Sequence, residues 1–456
     1  MTNPPATGRG VWSSKTGFIL AASGSAIGLG NIWRFPYMVG EGGGAAFVVI
    51  YLGFVFLLGA AVMLAELALG RRTDRNAVGA FEATAPGTLW KLVGMLGVIT
   101  GVAILSFYAV IAGWTVGYLF KTVTGSFSQT ITAQESQAIF ESFAASPVAN
   151  VGLLFVFLAV TSLVVWRGVS GGIELVSKTL MPVLLVLLVL LAIRSVTLSG
   201  AGAGLEFYLA PDFSRISAAT FPAALGQAFF SLSLGMGAMI TYGSYVSKKI
   251  NLVTSTGIIC LFDTLIALLA GLIIFPALFH AGLSPSSGPG LVFQVLPTLF
   301  AELPAGQLFG VAFFLLLAIA ALTSTIALLE VPVSYVIDEW GWSRGKAVAV
   351  TGMATFVIGV PSALASGAVP FFSDLPGGGF LSLMNIIFGN YALTIGSLGL
   401  AIFVGYRWGV KAAAAEIESE GVTFGLKHAW GFLLRFLAPV GITGILVYII
   451  ATQNYF

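Results

Sequence analysis

Arg34, Glu66, Asp263 and Glu330 stand inside otherwise apolar runs, where a charge is expensive and usually has a task. Asp263, in CLFDTLIALL, is the only acid of its run. A lone carboxylate among apolar neighbours needs a partner, and a small cation such as sodium would serve. Glu66 either pairs with Arg71 or Arg72 or caps free N–H groups of an interrupted helix; capping is the expectation. Arg34 reads as a gate residue or as a snorkelling anchor. Glu330, in ALLEVPV, reads as a residue facing a polar cavity. Two uncharged stretches belong with them: Ser23–Gly30 (SGSAIGLG) and Ser231–Gly237 (SLSLGMG). Glycine costs about 1 kcal/mol against alanine in a helix, so either stretch invites a break or, alternatively, close helix packing. Two such stretches in corresponding places point to discontinuous helices at a binding site.

The elements that must hold these residues are membrane helices. The 456 residues are 58% hydrophobic and 8% charged, with a mean hydropathy of +1.00. A soluble domain carries about 25% charged residues. Apolar runs predict eleven spans, near 11–38, 44–70, 89–123, 148–167, 173–196, 222–248, 252–282, 305–338, 345–363, 380–408 and 427–450. Alternating sides collect Arg9, Lys15, Arg71, Arg72, Arg75, Lys91, Arg167, Lys178, Lys248, Lys249, Arg344, Lys346, Arg407, Lys411, Lys427 and Arg435 together, leaving Arg34, Lys121, Arg194 and Arg215 opposite. This bias predicts a cytoplasmic N-terminus and an outside C-terminus, with the ATQNYF tail, in a bacterial inner membrane. The polar N-terminus has no signal-peptide core, so the first span is expected to remain. Cys260, His280 and His428 are too few and too scattered for a disulfide framework or a metal cluster. No basic track suits nucleic acid, and no nucleophile–base set or nucleotide loop marks an enzyme.

A break at mid-membrane frees carbonyls from one half-helix and N–H groups from the other. Carbonyls suit a hard cation or an ammonium, and N–H groups at a helix start suit a carboxylate. An amino acid carries both charges, so such a site holds a zwitterion without a charged side chain. Hydroxyls at Ser231, Ser233, Thr323, Ser324 and Thr325 are further sodium-ligand candidates, although each could simply bond to its own helix.

GSAIGLGNIWRFPY (Gly24–Tyr37), GQAFFSLSLGMGAMITYGSYV (Gly226–Val246) and ALTSTIALLE (Ala321–Glu330) resemble signatures of the neurotransmitter:sodium symporters. The similarity runs in order from Arg9 to the eleventh span and is nearest to eleven-helix bacterial amino-acid transporters. The resemblance implies a single transporter domain spanning 1–456, all-α and polytopic, with inverted repeats near 11–196 and 222–408 and an extra helix near 427–450. It implies sodium-driven import of hydrophobic or aromatic L-amino acids by alternating access, with two sodium ions. One ion would meet the Ala26 carbonyl, Asn31, Ser231, Asp263 and the substrate carboxylate. The other would meet carbonyls of Gly24, Ile27 and Ala320 and the hydroxyls of Thr323 and Ser324. Substrate carboxylate would meet Leu29 and Gly30 N–H and Tyr108; its ammonium would meet Ala26, Phe230, Ser231 and Ser233. Its side chain would lie against Ile104, Tyr108, Phe230, Met236, Ser324 and Leu328.

Three departures from the family pattern refine these expectations. Monoamine carriers place an aspartate at the position of Gly28, so glycine implies substrates that bring their own carboxylate. The aspartate that elsewhere pairs with the arginine matching Arg34 is Asn385 here, implying a weaker or water-mediated outer gate. Chloride-independent relatives often carry a glutamate matching Ala267; Asp263, one turn away, is expected to supply that charge and make chloride unnecessary. On the inner side Arg9, Trp12, Ser244, Tyr245 and Asp338 match a gate network, with Arg9 and Asp338 as an ion pair. Gly172 and Pro182 fit a family pattern for unwinding of the fifth span; an ordinary kinked helix start would look the same. A proton-driven carrier of this fold and a non-transporting membrane sensor are the competing classes. The implied partners are an amino acid and the bilayer, and no oligomeric state is written in the sequence.

Overall fold

The computed structural model describes residues 10–127, 131–283, 291–302 and 304–453. Numbered in chain order, the first crossing, α1, is Lys15–Ala26 followed, after an unwound Ile27–Gly28, by helical residues to Gly42. The sixth, α6, is Thr220–Ser231 and Ala238–Gly243, joined by an unwound 232–237. Nine helices among the described residues are long and apolar enough to cross a membrane: α2 Ala45–Thr73, α3 Lys91–Val123, α4 Pro147–Trp166, α5 Val169–Val196, α7 Leu252–His280, α8 Gly306–Trp340, α9 Arg344–Ala363, α10 Phe380–Ile417 and α11 Lys427–Thr452. No strand forms among the described residues. The chain is therefore an all-α polytopic membrane protein, as its composition predicts. The break in α1 is shorter than the glycine-serine stretch that announced it, because Ser23–Ala26 remain helical.

Burial sorts the helices. The most apolar stretches of α3 and α8 are 78% and 72% buried, whereas α4, α5 and α11 are 28–33% buried and face lipid. The two broken helices lie against the buried pair. Glu66 of α2 fixes the break in α6: Gly235 N–H donates to its carboxylate at 2.7 Å, and the Met239 and Ile240 amides approach it as well. These are the free donors of a helix start. Glu66 thus caps, as expected, and pairs with neither arginine.

Arg71 is instead fully buried against Glu416, at 2.9 Å, with a second bond to the Ile250 carbonyl. Lys248 reaches the same carboxylate at 2.6 Å. Glu416 lies beyond the expected end of the tenth span. The chain bends at Gly409 (φ +89°) and continues as a short helix, Val410–Ile417, that tucks Ala413, Glu416 and Ile417 inward. Its charges kept it out of the apolar pattern, and Arg71 supplies the reason it folds there. Removing one partner of such a buried pair costs about 3–5 kcal/mol. Glu416→Gln should therefore lower the melting temperature of the micelle-solubilised protein well below that of Arg72→Gln, which removes an exposed cation; equal melting curves would contradict this anchor.

Candidate functional site

The last carbonyls of the inner half of α1 have no helical donors, because the helix stops at Ala26. Hydroxyls from α6 and α8 converge on them. Ser233 donates to the Ser25 carbonyl at 2.9 Å and Ser324 donates to the same oxygen at 3.2 Å. On the other side of the break, Leu29 N–H donates to the Tyr108 hydroxyl of α3 at 2.8 Å. Gly28 is required by this closeness. A Cβ there would sit 2.3 Å from the Ser324 hydroxyl and 2.5 Å from that of Tyr108. In α6, Ser233 and Gly235 both take left-handed backbone, and a Cβ on Gly235 would fall 2.2 Å from the Leu393 carbonyl.

Between the breaks lies a cavity of ≈ 20 Å³, room for about one water. Ala26, Gly30, Ile104, Tyr108, Phe230, Ser233, Met236, Ser324 and Leu328 line it, with Ser25 and Gly28. Leu29 and Ser231 are not among its lining residues. Its wall is apolar apart from hydroxyls and backbone, a composition suited to an apolar side chain with a zwitterionic head.

Asp263 of α7 is fully buried, and none of the described ion pairs includes it. Asn31 donates to its Oδ1 at 2.8 Å, Ser231 to both oxygens at 2.8–2.9 Å, and Tyr51 to Oδ2 at 3.3 Å. The Asn31 side-chain oxygen accepts from Gly28 N–H at 3.2 Å, which ties the cluster to the break in α1. Three neutral donors do not balance a buried carboxylate, and a hard cation among these oxygens would. The described residues contain no cluster of His, Cys, Asp and Glu of the kind that holds other metals. A second oxygen-rich place forms where α8 meets α1. The Thr323 and Ser324 hydroxyls each lie 3.4 Å from the Ile27 carbonyl, and Thr323 also donates to Ala320 O at 3.0 Å. Gly24 packs directly on Thr323.

A larger cavity of ≈ 650 Å³ shares Tyr108 and Phe230 with the small one as a common wall, and Arg34 and Asn385 line it. Arg34 lies over the Phe230 ring, 4.5 Å from its centre. At the opposite end of α1, Trp12 is buried and donates to the carbonyls of Tyr242 and Tyr245 at 3.0 and 3.3 Å. Tyr245 donates to Glu330 at 2.7 Å, and Arg344 forks onto the same carboxylate. Ser244 bonds within its own helix, to Thr241 O. Asp338 accepts from Asn76 at 2.8 Å, and Arg9 lies outside the described residues. Gly172 sits in a π-helical first turn of α5, Val169–Glu174, and Pro182 in the continuous α-helix after it, so the start of α5 is wound here. Glu174 holds that turn to the chain before α1, accepting from Ser13 N–H at 2.7 Å, Ser13 and Ser14 hydroxyls at 2.6 and 2.9 Å, and Lys178.

Sequence reasoning passed over Tyr51, the Ser25 carbonyl, Glu174 and the partner of Glu330. Tyr51 sits in AAFVVIYLGF, where nothing marks a hydroxyl as functional. Ser25 was findable: a helix that ends at Ala26 frees four carbonyls, not only those of Gly24, Ala26 and Ile27.

Comparison with known proteins places this architecture. The chain matches the model of the sodium:neurotransmitter symporter family over residues 9–150 and 134–455. It is 40% identical over 449 residues to YhdH, an uncharacterized sodium-dependent transporter of Bacillus subtilis, covering 97% of this chain and 98% of that one. An uncharacterized sodium-dependent transporter of Haemophilus influenzae is 35% identical over 448 residues, at 96% and 98% coverage. The crystal structure of MhsT in complex with L-phenylalanine superposes with a TM-score of 0.90 at 46% identity, covering 96% of this chain and 99% of that one. A fold with two facing helix breaks, a buried aspartate held by neutral donors and these matches along nearly its whole length is a transporter rather than an enzyme, and this chain belongs to the sodium:neurotransmitter symporter family.

Proposed function

We propose that this transporter carries hydrophobic and aromatic L-amino acids inward with two sodium ions and without chloride. The observation that carries the reading is the buried Asp263, bonded to Asn31, Ser231 and Tyr51 and in none of the ion pairs among the described residues. A sodium ion among Asp263, Asn31, Ser231 and the Ala26 carbonyl would balance that charge, and the substrate carboxylate would complete its shell. The second ion would use Gly24, Ile27 and Ala320 carbonyls with Thr323 and Ser324. The amino acid would direct its carboxylate to Leu29 and Gly30 N–H and Tyr108, and its ammonium to carbonyls at Ala26, Phe230 and Ser231 with Ser233. Ile104, Phe230, Met236 and Leu328 would take the side chain; Met236 gives that wall a flexible, polarizable surface. The phenylalanine bound to MhsT supports an apolar substrate class.

Coupling follows from geometry. An ion that is incomplete without the substrate binds better with it, and by linkage the substrate gains the same factor. Repeats near 11–196 and 222–408 would rock about this shared site, with 427–450 outside them. In the proposed orientation, with the N-terminus cytoplasmic, the large cavity opens outward beneath Arg34, Asn385 and Phe230. Arg34 lies over the Phe230 ring, and Asn385 stands where the resemblance places an acid. Trp12, Tyr245, Glu330 and Arg344 tie the inner side together, and the proposed gate would add Ser244 and an ion pair between Asp338 and Arg9. Unwinding α5 between Gly172 and Pro182 would wet the second sodium site and release its ion, and Glu174 restrains that step.

Proteoliposomes test the assignment directly. Labelled phenylalanine, tryptophan or leucine should accumulate with an inward sodium gradient, undiminished when gluconate replaces chloride, and Asp263→Asn should abolish the chloride-free uptake. Uptake driven by a pH gradient at zero sodium would replace this reading with a proton carrier; binding without accumulation would make the chain a sensor. Glu174→Gln weakens three bonds that tie the first turn of α5 to the chain before α1, and an ion pair with Lys178 within α5, each worth about 1 kcal/mol or more. Amide exchange in 169–181 should then quicken at least tenfold while α3 is unchanged; unchanged exchange would remove Glu174 from the release step.

A further inference from the structure

Arg435 is a cation on the lipid-facing side of a membrane helix. It is exposed, flanked on α11 by exposed Phe432 (57%) and Phe436 (54%). At 1.5 Å per residue the 26 residues of α11 reach about 39 Å, beyond the ~30 Å hydrocarbon core. Arg435 comes eight residues after Lys427, so its Cα sits about 7 Å inside the core boundary if the overhang is shared between the ends. An arginine at that depth places its guanidinium back at the headgroup level.

The guanidinium does not hang free. Its Nε donates to the Gly405 carbonyl of α10 at 2.8 Å, and Tyr406 donates to the Arg435 carbonyl at 2.7 Å. Gly405 can offer that oxygen because helical geometry fails at Gly409, one turn further on, where carbonyls run out of in-helix donors. Both helices are π-helical at this level, 403–409 in α10 and 433–437 in α11. Gly405 also allows contact, since a Cβ there would lie 3.3 Å from the Arg435 side chain. One edge of the planar fork is therefore fixed by protein, and none of the described ion pairs includes the terminal nitrogens. A fork held by one edge beside two aromatic rings in the lipid boundary is complementary to a phosphodiester with acyl chains below it.

We propose that Arg435, Gly405 and Tyr406 form a site between α10 and α11 for the phosphate of an anionic phospholipid, with its acyl chain against Phe432 and Phe436. The site lies in the leaflet of the α10–α11 turn, remote from the transport cavity, and uses no residue of the ion or substrate sites. Pinning α10 to α11 at a bend in α10 also makes the lipid a clamp on that bend, so occupancy should raise stability.

Native mass spectrometry of the full chain, with added phosphatidylglycerol, phosphatidylcholine or inorganic phosphate, tests it. Wild type should retain phosphatidylglycerol at least fivefold more than phosphatidylcholine and gain melting temperature with it. Arg435→Gln should lose that preference, and Arg435→Lys, which keeps the charge, should keep part of it. Lys346→Gln, removing a cation stacked on Trp342 at 4.3 Å, should change nothing. Equal retention by Arg435→Gln, or a melting shift reproduced by inorganic phosphate alone, would overturn the lipid site. If Arg435→Gln does not fold, Phe432→Ala with Phe436→Ala, which leaves the fork in place, should lower retention at least twofold; unaltered retention would overturn the proposal equally. None of these readouts involves transport, so failure here leaves the symport reading standing.

Discussion

Backbone polar groups inside a bilayer must find partners within the protein, and this chain breaks two of its helices where lipid offers none. Everything central to the molecule answers that constraint. Glu66 takes the amides freed at the second half of α6. Ser233 and Ser324 take a carbonyl freed at the end of the inner half of α1. Tyr108 takes the amide at Leu29. The breaks lie against α3 and α8, the two most buried unbroken helices, because irregular backbone would be intolerable at the lipid face. Around the breaks stand carbonyls, hydroxyls and the Asp263 carboxylate, all acceptors or weak donors. The cations and zwitterion of the proposed function would complement such a surface.

The same reasoning separates the two ends of the transport path. On one side of the small cavity a guanidinium lies over an aromatic ring, with a broad space beyond it. At the other end, three linked ties cross between elements, through Trp12, Glu330 with Arg344 and Tyr245, and Glu174 with the chain before α1. The bonds to Glu330 and Glu174 are charge-assisted, a kind individually stronger than neutral ones. In the proposed function, entry is from the side of the large cavity, and release would require several of these bonds to break together.

Much of this was legible in the residues. The eleven crossings and both breaks followed from hydropathy and glycine-serine clustering, since bilayer thickness and helix propensity act locally. Asp263 announced itself as the lone acid of an apolar run. Less local facts were silent. Glu416 lay outside any span, and only its meeting with Arg71, 345 residues away, gives it a place in the fold. Tyr51 looked like one more bulky residue on a lipid-compatible helix. Glu330 was visible as a charge without a task because its partner, Arg344, belongs to the next helix, across a turn that the sequence does not orient. Patterns of period and composition report on one element at a time; partners across elements need the fold.

The central claim is that ion and amino acid share one binding site and therefore one free energy. Equilibrium binding of labelled phenylalanine to the purified protein, titrated across sodium concentrations and in the reverse direction, tests it most directly. Sodium should tighten phenylalanine binding and phenylalanine should tighten sodium binding by the same factor, with Asp263→Asn erasing both gains. Phenylalanine affinity independent of sodium would contradict the shared site.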